Sequence, residues 1–243
     1  MAIAQRHDIV VPVLGVVLDN GTPVMREAHG TAFPIGGSLF LTADHVPQEV
    51  DAADLVLTIG AGRDGEWLAV KASIHTRWPE VDLAVLEADE PRLEPVDWTT
   101  TEVPIFEPVR TLGFPFGADQ RHSTLSARGL VGHVAAGRQF PELTGTPEIY
   151  ELTFAAPRGL SGAPLIQHDG LWVCGCVIKN YTTEIAAIRS AEVHTGRGKV
   201  ERFETYEYLH LGIAVNSTTI LGLKLSSGLA IRDHALRHGA QLR

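Results

Sequence analysis

The sequence predicts an all-β protein made of a pair of antiparallel barrels. Its 243 residues contain many short apolar runs separated by turns rich in Gly, Pro and Asp. Closely spaced runs of this kind are typical of antiparallel all-β folds. Hydrophobic residues make up 44% of the chain, which is enough to build a substantial core. A segment rich in Pro, Glu and Thr, residues 91–108, is predicted to link the two barrels.

The first set of strands lies within residues 8–90, which we predict to form the N-terminal barrel. Ile9–Leu18 is apolar and β-branched, and it is followed by Asp19-Asn20-Gly21, a strong hairpin signal. The other predicted strands of this set are Thr31–Ile35, Ser38–Thr42, Leu55–Ile59, Trp67–Ile74 and Asp82–Leu86.

The second set lies within residues 109–222, the predicted C-terminal barrel. Ser217–Ile220 can cap a helix, and residues 229–238 of the tail 223–243 can form another, with apolar side chains only roughly on one face. The predicted strands of this set are Val109–Leu112, Ser123–Val134, Ile149–Phe154, Ala163–Gln167, Leu171–Ile178 and Tyr208–Val215.

Three short segments carry a His, an Asp and a Ser at the edges of apolar, strand-like runs. They are Leu41–Val46 (LTADHV), Val81–Leu86 (VDLAVL) and Gly159–Pro164 (GLSGAP). A hydroxyl is a poor nucleophile at neutral pH unless a neighbouring base takes its proton. An imidazole can act as that base, and a buried carboxylate can hold the imidazole in one tautomer. In this order, the three segments together indicate a serine peptidase.

The chain resembles the trypsin-like serine peptidases of the chymotrypsin fold, and its motifs are most similar to those of the bacterial HtrA-like branch. The surroundings expected in that branch are Thr-Ala-x-His-Val, Asp-Leu-Ala-Val-Leu and Gly-x-Ser-Gly-x-Pro. Gly30–Ile35 resembles the strand before the family's histidine, and Leu112–Gly117 resembles a turn in its second half. The resemblance covers roughly residues 8–222 and implies two six-stranded antiparallel barrels with a short C-terminal helix.

The resemblance implies a role for each residue of the three segments. His45 is the expected general base and acid, Asp82 the orienting carboxylate and Ser161 the nucleophile. The backbone N–H groups of Gly159 and Ser161 are expected to form the oxyanion hole, because a glycine lets the peptide turn its N–H into the cleft. Asp44, next to His45, is expected to point elsewhere and to be solvated.

The resemblance also implies a substrate pocket with an apolar lining. Because no acidic residue stands at its base, we expect a small or medium aliphatic residue at the cleavage position. Recruitment of an acidic residue by the wall lysine is the alternative. The expected pocket residues are Ala155 at the base, Val177, Ile178, Lys179 and Asn180 along one wall, and Gly212 and Ala214 nearby.

Two positions and one long segment bear on control. Leu160 stands where zymogen-activated relatives carry an Asp that pairs with a new N-terminus, so that switch is not expected. Arg158 either contacts bound substrate or is a solvated charge at the rim. Tyr181–Glu207 mixes Thr, Glu, Arg, Lys and Gly, and we expect either a mobile surface loop or a flap beside the cleft.

Composition argues against several classes of function. The net charge of −9 disfavours a nucleic-acid partner, and no apolar run reaches the about 20 residues of a membrane span. No zinc spacing or phosphate-binding loop occurs, so no metal or cofactor is expected.

Cys174 and Cys176 are two apart on a predicted strand and are expected to be buried and unpaired. Because no secretory signal is visible, the simplest expectation is a cytoplasmic bacterial protein. The alternative is that a leader sequence has been removed.

The leading hypothesis is a serine endopeptidase that cleaves flexible protein or peptide segments. Two alternatives stay open: a dormant trypsin-fold binding module that needs an activating protein partner, and an esterase with the same triad. The nucleophile elbow of α/β-hydrolases does not fit, because position 163 is Ala and the histidine precedes the serine. The sequence leaves the oligomeric state open.

Overall fold

The structure is a computed structural model that describes residues 9–63, 66–90, 93–115, 125–195 and 199–243. Its helices are α1 (His45–Ala52), α2 (Ser217–Gly222) and α3 (Ile231–Arg237). Its strands are β1 (Val11–Asp19), β2 (Thr22–Gly36), β3 (Leu39–Ala43), β4 (Val56–Arg63), β5 (Glu66–Lys71), β6 (Ser73–Trp78), β7 (Leu83–Glu87), β8 (Pro108–Gly113), β9 (Arg128–Gln139), β10 (Glu148–Leu152), β11 (Pro164–Gln167), β12 (Val173–Thr195) and β13 (Lys199–Asn216).

The strands form two antiparallel units, which we call the N-terminal sheet and the C-terminal barrel. The barrel is closed in the order β10-β13-β12-β11-β8-β9, and the sheet has seven strands in the order β5-β4-β1-β2-β3-β7-β6. The prediction of a chymotrypsin-like double-barrel fold is confirmed. The N-terminal sheet has seven strands instead of six because the predicted strand Trp67–Ile74 is split between β5 and β6. These two strands lie on opposite edges of the sheet.

The core is built from the inward-facing side chains of these strands. All five residues of β3 are buried, as expected for a strand covered on both faces. Trp98, from the segment between the two units, is fully buried and packs on Phe33 with ring centroids 5.8 Å apart. Cys174 and Cys176 are buried and free, as predicted, and burial raises the pKa of both thiols. Both cysteines therefore pack as small apolar side chains.

The helices depart from the sequence prediction in two places. Helix α1 was not predicted, because its eight residues are too few to show a helical period. Helix α2 is capped by Asn216, whose side chain accepts a hydrogen bond from the Thr219 N–H at 3.0 Å. Helix α3 forms within the predicted segment, and it leaves Leu236 exposed. No helix in the described ranges is long and apolar enough to cross a membrane.

The described part of Tyr181–Glu207 forms a two-stranded antiparallel ribbon, so the expectation of a loop without strands is wrong. Strands β12 and β13 stay paired outward to Thr195 and Lys199, with residues 196–198 outside the described part. Ladder hydrogen bonds form between backbone groups, so a polar composition does not prevent them. The ribbon leaves the barrel directly after Asn180, one of the expected pocket residues.

Candidate active site

His45 and Asp82 lie side by side because they stand at the same end of two paired strands. Strand β3 pairs antiparallel with β7, with Ala43 opposite Leu83. The His45 Nδ1 atom lies 3.1 and 3.0 Å from the two carboxylate oxygens of Asp82. The backbone N–H of His45 also donates to Asp82 Oδ1 at 3.1 Å. One carboxylate therefore fixes both the ring and the start of α1.

The backbone at Asp82 has a left-handed conformation that aims this carboxylate at the histidine. Its φ is +55°, at the end of the 3₁₀ turn Pro79–Val81. Aspartate tolerates this region better than most side chains. The Asp82 carbonyl accepts the N–H of Asp44 at 3.1 Å, which adds a backbone contact to the side-chain contact.

The imidazole of His45 is partly buried among carboxylates. Burial alone would lower its pKa, but the hydrogen bond to Asp82 and the charge of Asp82 act in the opposite direction, together with the charges of Glu49 and Asp44. The net result is a pKa raised above the ordinary 6.5. The environment thus favours the protonated imidazolium form of His45, which is the form that an imidazole takes when it accepts a proton as a general base.

Asp44 is buried and ion-paired, so the expectation that it would be solvated is wrong. It is only 1% exposed. Its carboxylate accepts hydrogen bonds from Arg77 Nε at 2.6 Å and Nη2 at 3.0 Å, and from Gln48 Nε2 at 2.6 Å. Bidentate pairing with an arginine compensates the burial of a carboxylate. The pair joins the residue before His45 to strand β6.

Ser161 lies in the turn before β11, and two threonines dock this turn on the N-terminal sheet. The Thr31 N–H donates to the Ser161 carbonyl at 2.8 Å. The Thr42 hydroxyl donates to the Thr31 carbonyl at 2.7 Å. Gly162 has a φ of +86°, and a Cβ there would clash with the Thr31 carbonyl and the Thr42 hydroxyl. Glycine is therefore required for the turn to approach the sheet this closely.

Gly30 separates the Ser161 turn from the histidine helix. A Cβ at Gly30 would lie 2.7 Å from the Val46 methyl groups and 2.9 Å from the Ser161 carbonyl. The residue after His45 and the backbone of Ser161 thus flank the same glycine. The structure thus places His45 and Asp82 in direct contact and the Ser161 turn beside the helix that begins at His45.

The Ser161 hydroxyl donates to the Ile178 carbonyl at 3.0 Å. Within the described residues, no hydrogen bond joins it to His45. Ile178 is the extra residue of a β-bulge, because the β12–β13 register shifts between Val177 and Lys179. A change of the Ser161 χ1 rotamer is sufficient to release the hydroxyl.

The residues before Ser161 form a type II turn. The Leu160 N–H donates to the Pro157 carbonyl at 3.0 Å, and Gly159, the third residue, has a φ of +93°. Positive φ at this position alone defines type II. The Thr31 hydroxyl donates to the Gly159 carbonyl at 2.8 Å and accepts the Phe114 N–H at 3.0 Å.

This turn leaves two backbone donors available. Within the described part of the chain, neither the Gly159 N–H nor the Ser161 N–H donates to a protein acceptor. A Cβ at Gly159 would clash with the Phe114 carbonyl. Two free N–H groups beside a serine can stabilise a negatively charged oxygen.

The expected pocket residues gather beside this turn. The Asn180 amide accepts the Ala156 N–H and donates to the Ala156 carbonyl at 2.7 Å. The Gly212 N–H donates to the Phe154 carbonyl at 2.8 Å. Ala155 thus lies in a segment that is hydrogen-bonded to both β12 and β13, and it is exposed.

Of the side chains expected along and near the pocket wall, three are buried in the core and one, that of Lys179, is paired with an acidic residue. Val177, Ile178 and Ala214 are fully buried in the core. Lys179 lies 3.6 Å from a Glu142 carboxylate oxygen and 4.7 Å from the centre of the Phe140 ring. Its ammonium group therefore already has an acidic partner.

Several residues of the site were missed by sequence reasoning. Thr31 and Phe114 lie inside the two additional matching segments, which was the one available signal. Arg77 and Glu49 carried no signal, because only the fold brings them near His45. Among the described residues, no group of three or more His, Cys, Asp or Glu side chains could hold a metal ion.

Comparisons with known proteins place the chain among peptidases. A family model described as a trypsin-like peptidase domain matches residues 30–174, which is more than half of the chain. No curated protein matches the sequence.

Solved structures share the fold at low sequence identity. The Rv3671c protease from M. tuberculosis in its active form is 17% identical, with 98% of this chain and 84% of that chain covered and a TM-score of 0.57. The MamO protease domain from Magnetospirillum magneticum is 15% identical, with 89% and 97% covered and a TM-score of 0.58. The HtrA-type protease AlgW with a decapeptide is 17% identical, with 96% and 66% covered and a TM-score of 0.62.

The Arg77–Asp44 pair is expected to contribute to stability. Arg77→Met leaves the buried Asp44 carboxylate without its cation, and we expect a loss of about 2–4 kcal/mol. Urea unfolding measures this loss, with Arg77→Lys as the control that keeps the charge. A change below about 0.5 kcal/mol in Arg77→Met, the size typical of surface positions, would contradict the assignment.

Proposed function

We propose that this chain, which belongs to the trypsin-like peptidase domain family, is a serine endopeptidase that acts through an acyl-enzyme. The proposal rests above all on the Asp82–His45 contact at 3.0 Å beside the Ser161 turn. In this proposal Asp82 holds the imidazole with Nδ1 protonated, so that Nε2 is free to accept a proton. Ser161 is the nucleophile, and the N–H groups of Gly159 and Ser161 receive the oxyanion.

The proposed reaction has two halves. In acylation, the Ser161 hydroxyl turns from Ile178 to His45 and gives its proton to Nε2 as its oxygen attacks the peptide carbonyl. The imidazolium then protonates the leaving amine as the C–N bond breaks, and an ester remains on Ser161. In deacylation, water gives a proton to His45 and attacks the ester. His45 then returns that proton to Ser161 as the carboxylic acid leaves.

The proposed substrate is an extended segment of a flexible protein or peptide. Such a segment can add as a strand beside β12. We propose Ala155, Val177–Asn180 and Gly212 as the pocket for the residue before the cleaved bond, with Val177 and Ile178 contributing backbone only because their side chains are fully buried. Small or medium aliphatic side chains fit this proposal, because Lys179 is occupied by Glu142.

A dormant module that needs a partner is the second candidate. The observation in its favour is the Ser161 hydrogen bond to Ile178 in place of one to His45. Because a rotamer change releases this bond, we place the endopeptidase first. An esterase would use the same groups and differ only in the leaving group.

Ser161→Ala is expected to abolish peptide hydrolysis while the fold stays intact. Loss of the nucleophile should lower turnover of fluorescent casein by about 10⁶-fold, the size seen when a catalytic triad is disabled. Labelling with a fluorophosphonate should modify Ser161 in the parent and nothing in the variant. A folded parent that neither labels nor cleaves would favour the dormant candidate.

The rate is expected to rise with pH as His45 loses its proton. Because the His45 pKa is raised above 6.5, the midpoint of kcat/KM should lie above that value. Asp82→Asn removes the charge of Asp82, a main contribution that raises the His45 pKa, and leaves the burial that lowers it, so the pKa should fall. NMR titration of His45 in the Ser161→Ala background measures this directly, with and without Asp82→Asn. An unchanged or higher His45 pKa in the Asp82→Asn protein would contradict the proposed pair.

Gly159→Ala is expected to impair the proposed oxyanion hole. The new Cβ cannot coexist with the Phe114 carbonyl at a φ of +93°, so the Gly159 N–H must move. Loss of one such donor lowers kcat by about 10²–10³-fold. Gly222→Ala is the matched control, because no atom lies within 4 Å of its added Cβ. Equal kcat values in the two variants would remove Gly159 from the proposed site.

A further inference from the structure

Three charged side chains connect the two units beside the proposed nucleophile. Arg158, from the type II turn of the C-terminal barrel, lies 3.0 Å from a Glu27 carboxylate oxygen and 3.7 Å from one of Glu49. Glu27 is on β2 and Glu49 is on α1, both in the N-terminal sheet unit. The Glu49 carboxylate also lies 3.6 Å from Nδ1 of the buried His29. We call Arg158, Glu27 and Glu49 the charged bridge.

Arg158 occupies the second position of the turn that presents the Gly159 N–H. In a type II turn the central peptide is oriented oppositely to that of a type I turn, which has negative φ at the third residue. Glycine adopts both conformations with little steric cost. The Arg158–Gly159 peptide can therefore turn over, which would direct the Arg158 carbonyl where the Gly159 N–H now points. Contacts outside the glycine must favour the observed orientation.

The structure provides two such contacts. The Thr31 hydroxyl donates to the Gly159 carbonyl, on the C-terminal side of the Arg158–Gly159 peptide. The charged bridge holds the side chain of Arg158, on the N-terminal side of that peptide. One residue on each side of the peptide is thus tied to the N-terminal sheet unit.

We propose that the charged bridge is a positioning device that keeps the Arg158–Gly159 peptide in the orientation that presents the Gly159 N–H. This inference rests on the proposed function. Glu27, Glu49 and Arg158 are positioning residues, because they act through the backbone of Gly159. Arg158 side-chain exposure is 68%, and those of Glu27 and Glu49 are 44% and 43%, so the bridge is open to solvent ions.

This exposure sets the expected size and the salt dependence of the effect. An exposed ion pair changes an equilibrium by at most about fivefold. We expect Arg158→Gln to lower kcat by about 2–5-fold and to leave KM unchanged. Since salt screens exposed pairs, the kcat of the parent should fall between about 0.05 and 0.5 M NaCl. The kcat of Arg158→Gln should not depend on salt.

The experiment compares kcat and KM on the best-cleaved quenched-fluorescence peptide of a library. The variants are Arg158→Gln, Arg158→Lys, Glu27→Gln, Glu49→Gln and the double variant Arg158→Gln/Glu27→Gln. Arg243→Gln is the matched control, because Arg243 forms an exposed ion pair of the same length with Asp169. We expect Arg158→Lys to retain most of kcat, and the double variant to equal Arg158→Gln. The rate of fluorophosphonate labelling should fall together with kcat.

Two results would overturn the inference. A raised KM with unchanged kcat would make Arg158 a substrate-contacting residue at the rim. Equal kcat values in Arg158→Gln and Arg243→Gln would leave the bridge without a role in the turn.

The NMR signal of the Gly159 amide separates this inference from the proposed function. That signal should shift or broaden in Glu27→Gln, which changes the bridge at a residue far from Gly159 in sequence, and stay in place in Arg243→Gln, whether or not the protein cleaves peptides. If the folded parent is inactive, the proposed function fails. The amide signal then still decides whether the bridge holds the turn, and an unchanged signal in Glu27→Gln overturns the inference.

Discussion

The docking of the Ser161 turn on Thr31 is the interaction on which the rest of the site depends. Thr31 uses its N–H for the Ser161 carbonyl and its hydroxyl for the Gly159 carbonyl. One residue of the N-terminal sheet thus fixes two residues of the C-terminal barrel. Because Thr31 is fully buried, water does not compete for these bonds, and breaking one would leave a buried polar group unpaired. The position of the turn relative to His45 is therefore a property of the interface between the two units.

Burial and hydrogen bonding explain why the adjacent residues Asp44 and His45 have such different roles. Asp44 is buried and is hydrogen-bonded to Arg77 and Gln48. His45 keeps one ring nitrogen on Asp82 and the other free of any hydrogen bond from the described residues. The same short connection after β3 thus provides one group that holds the backbone and one that can exchange a proton.

Sequence reasoning was most successful where the signal was local. His45, Asp82 and Ser161 stand at strand ends, and short motifs mark such positions. The bulge at Ile178 and the partners of Asp44 depend on residues far away in the chain, which no local pattern reveals. The ribbon of β12 and β13 was missed because Tyr181–Glu207 is polar, and its backbone pairing does not require apolar side chains. Helix α1 was missed because its eight residues are too few to show a helical period.

The site divides into groups that are held in place and one group that must move. The turn at Gly159 is held by the hydrogen bond from the Thr31 hydroxyl to the Gly159 carbonyl, and the His45 ring is held by Asp82. The Ser161 hydroxyl alone has a partner, the Ile178 carbonyl, that it must leave before it can react in the proposed mechanism. A rotamer change costs little, whereas reorganising backbone dipoles during a reaction costs much more. In the proposed mechanism, the groups that are costly to reorganise, the Gly159 N–H and the His45 ring, are therefore already in place. The rearrangement that remains is one rotation about the Ser161 χ1 bond, which a bound substrate can shift.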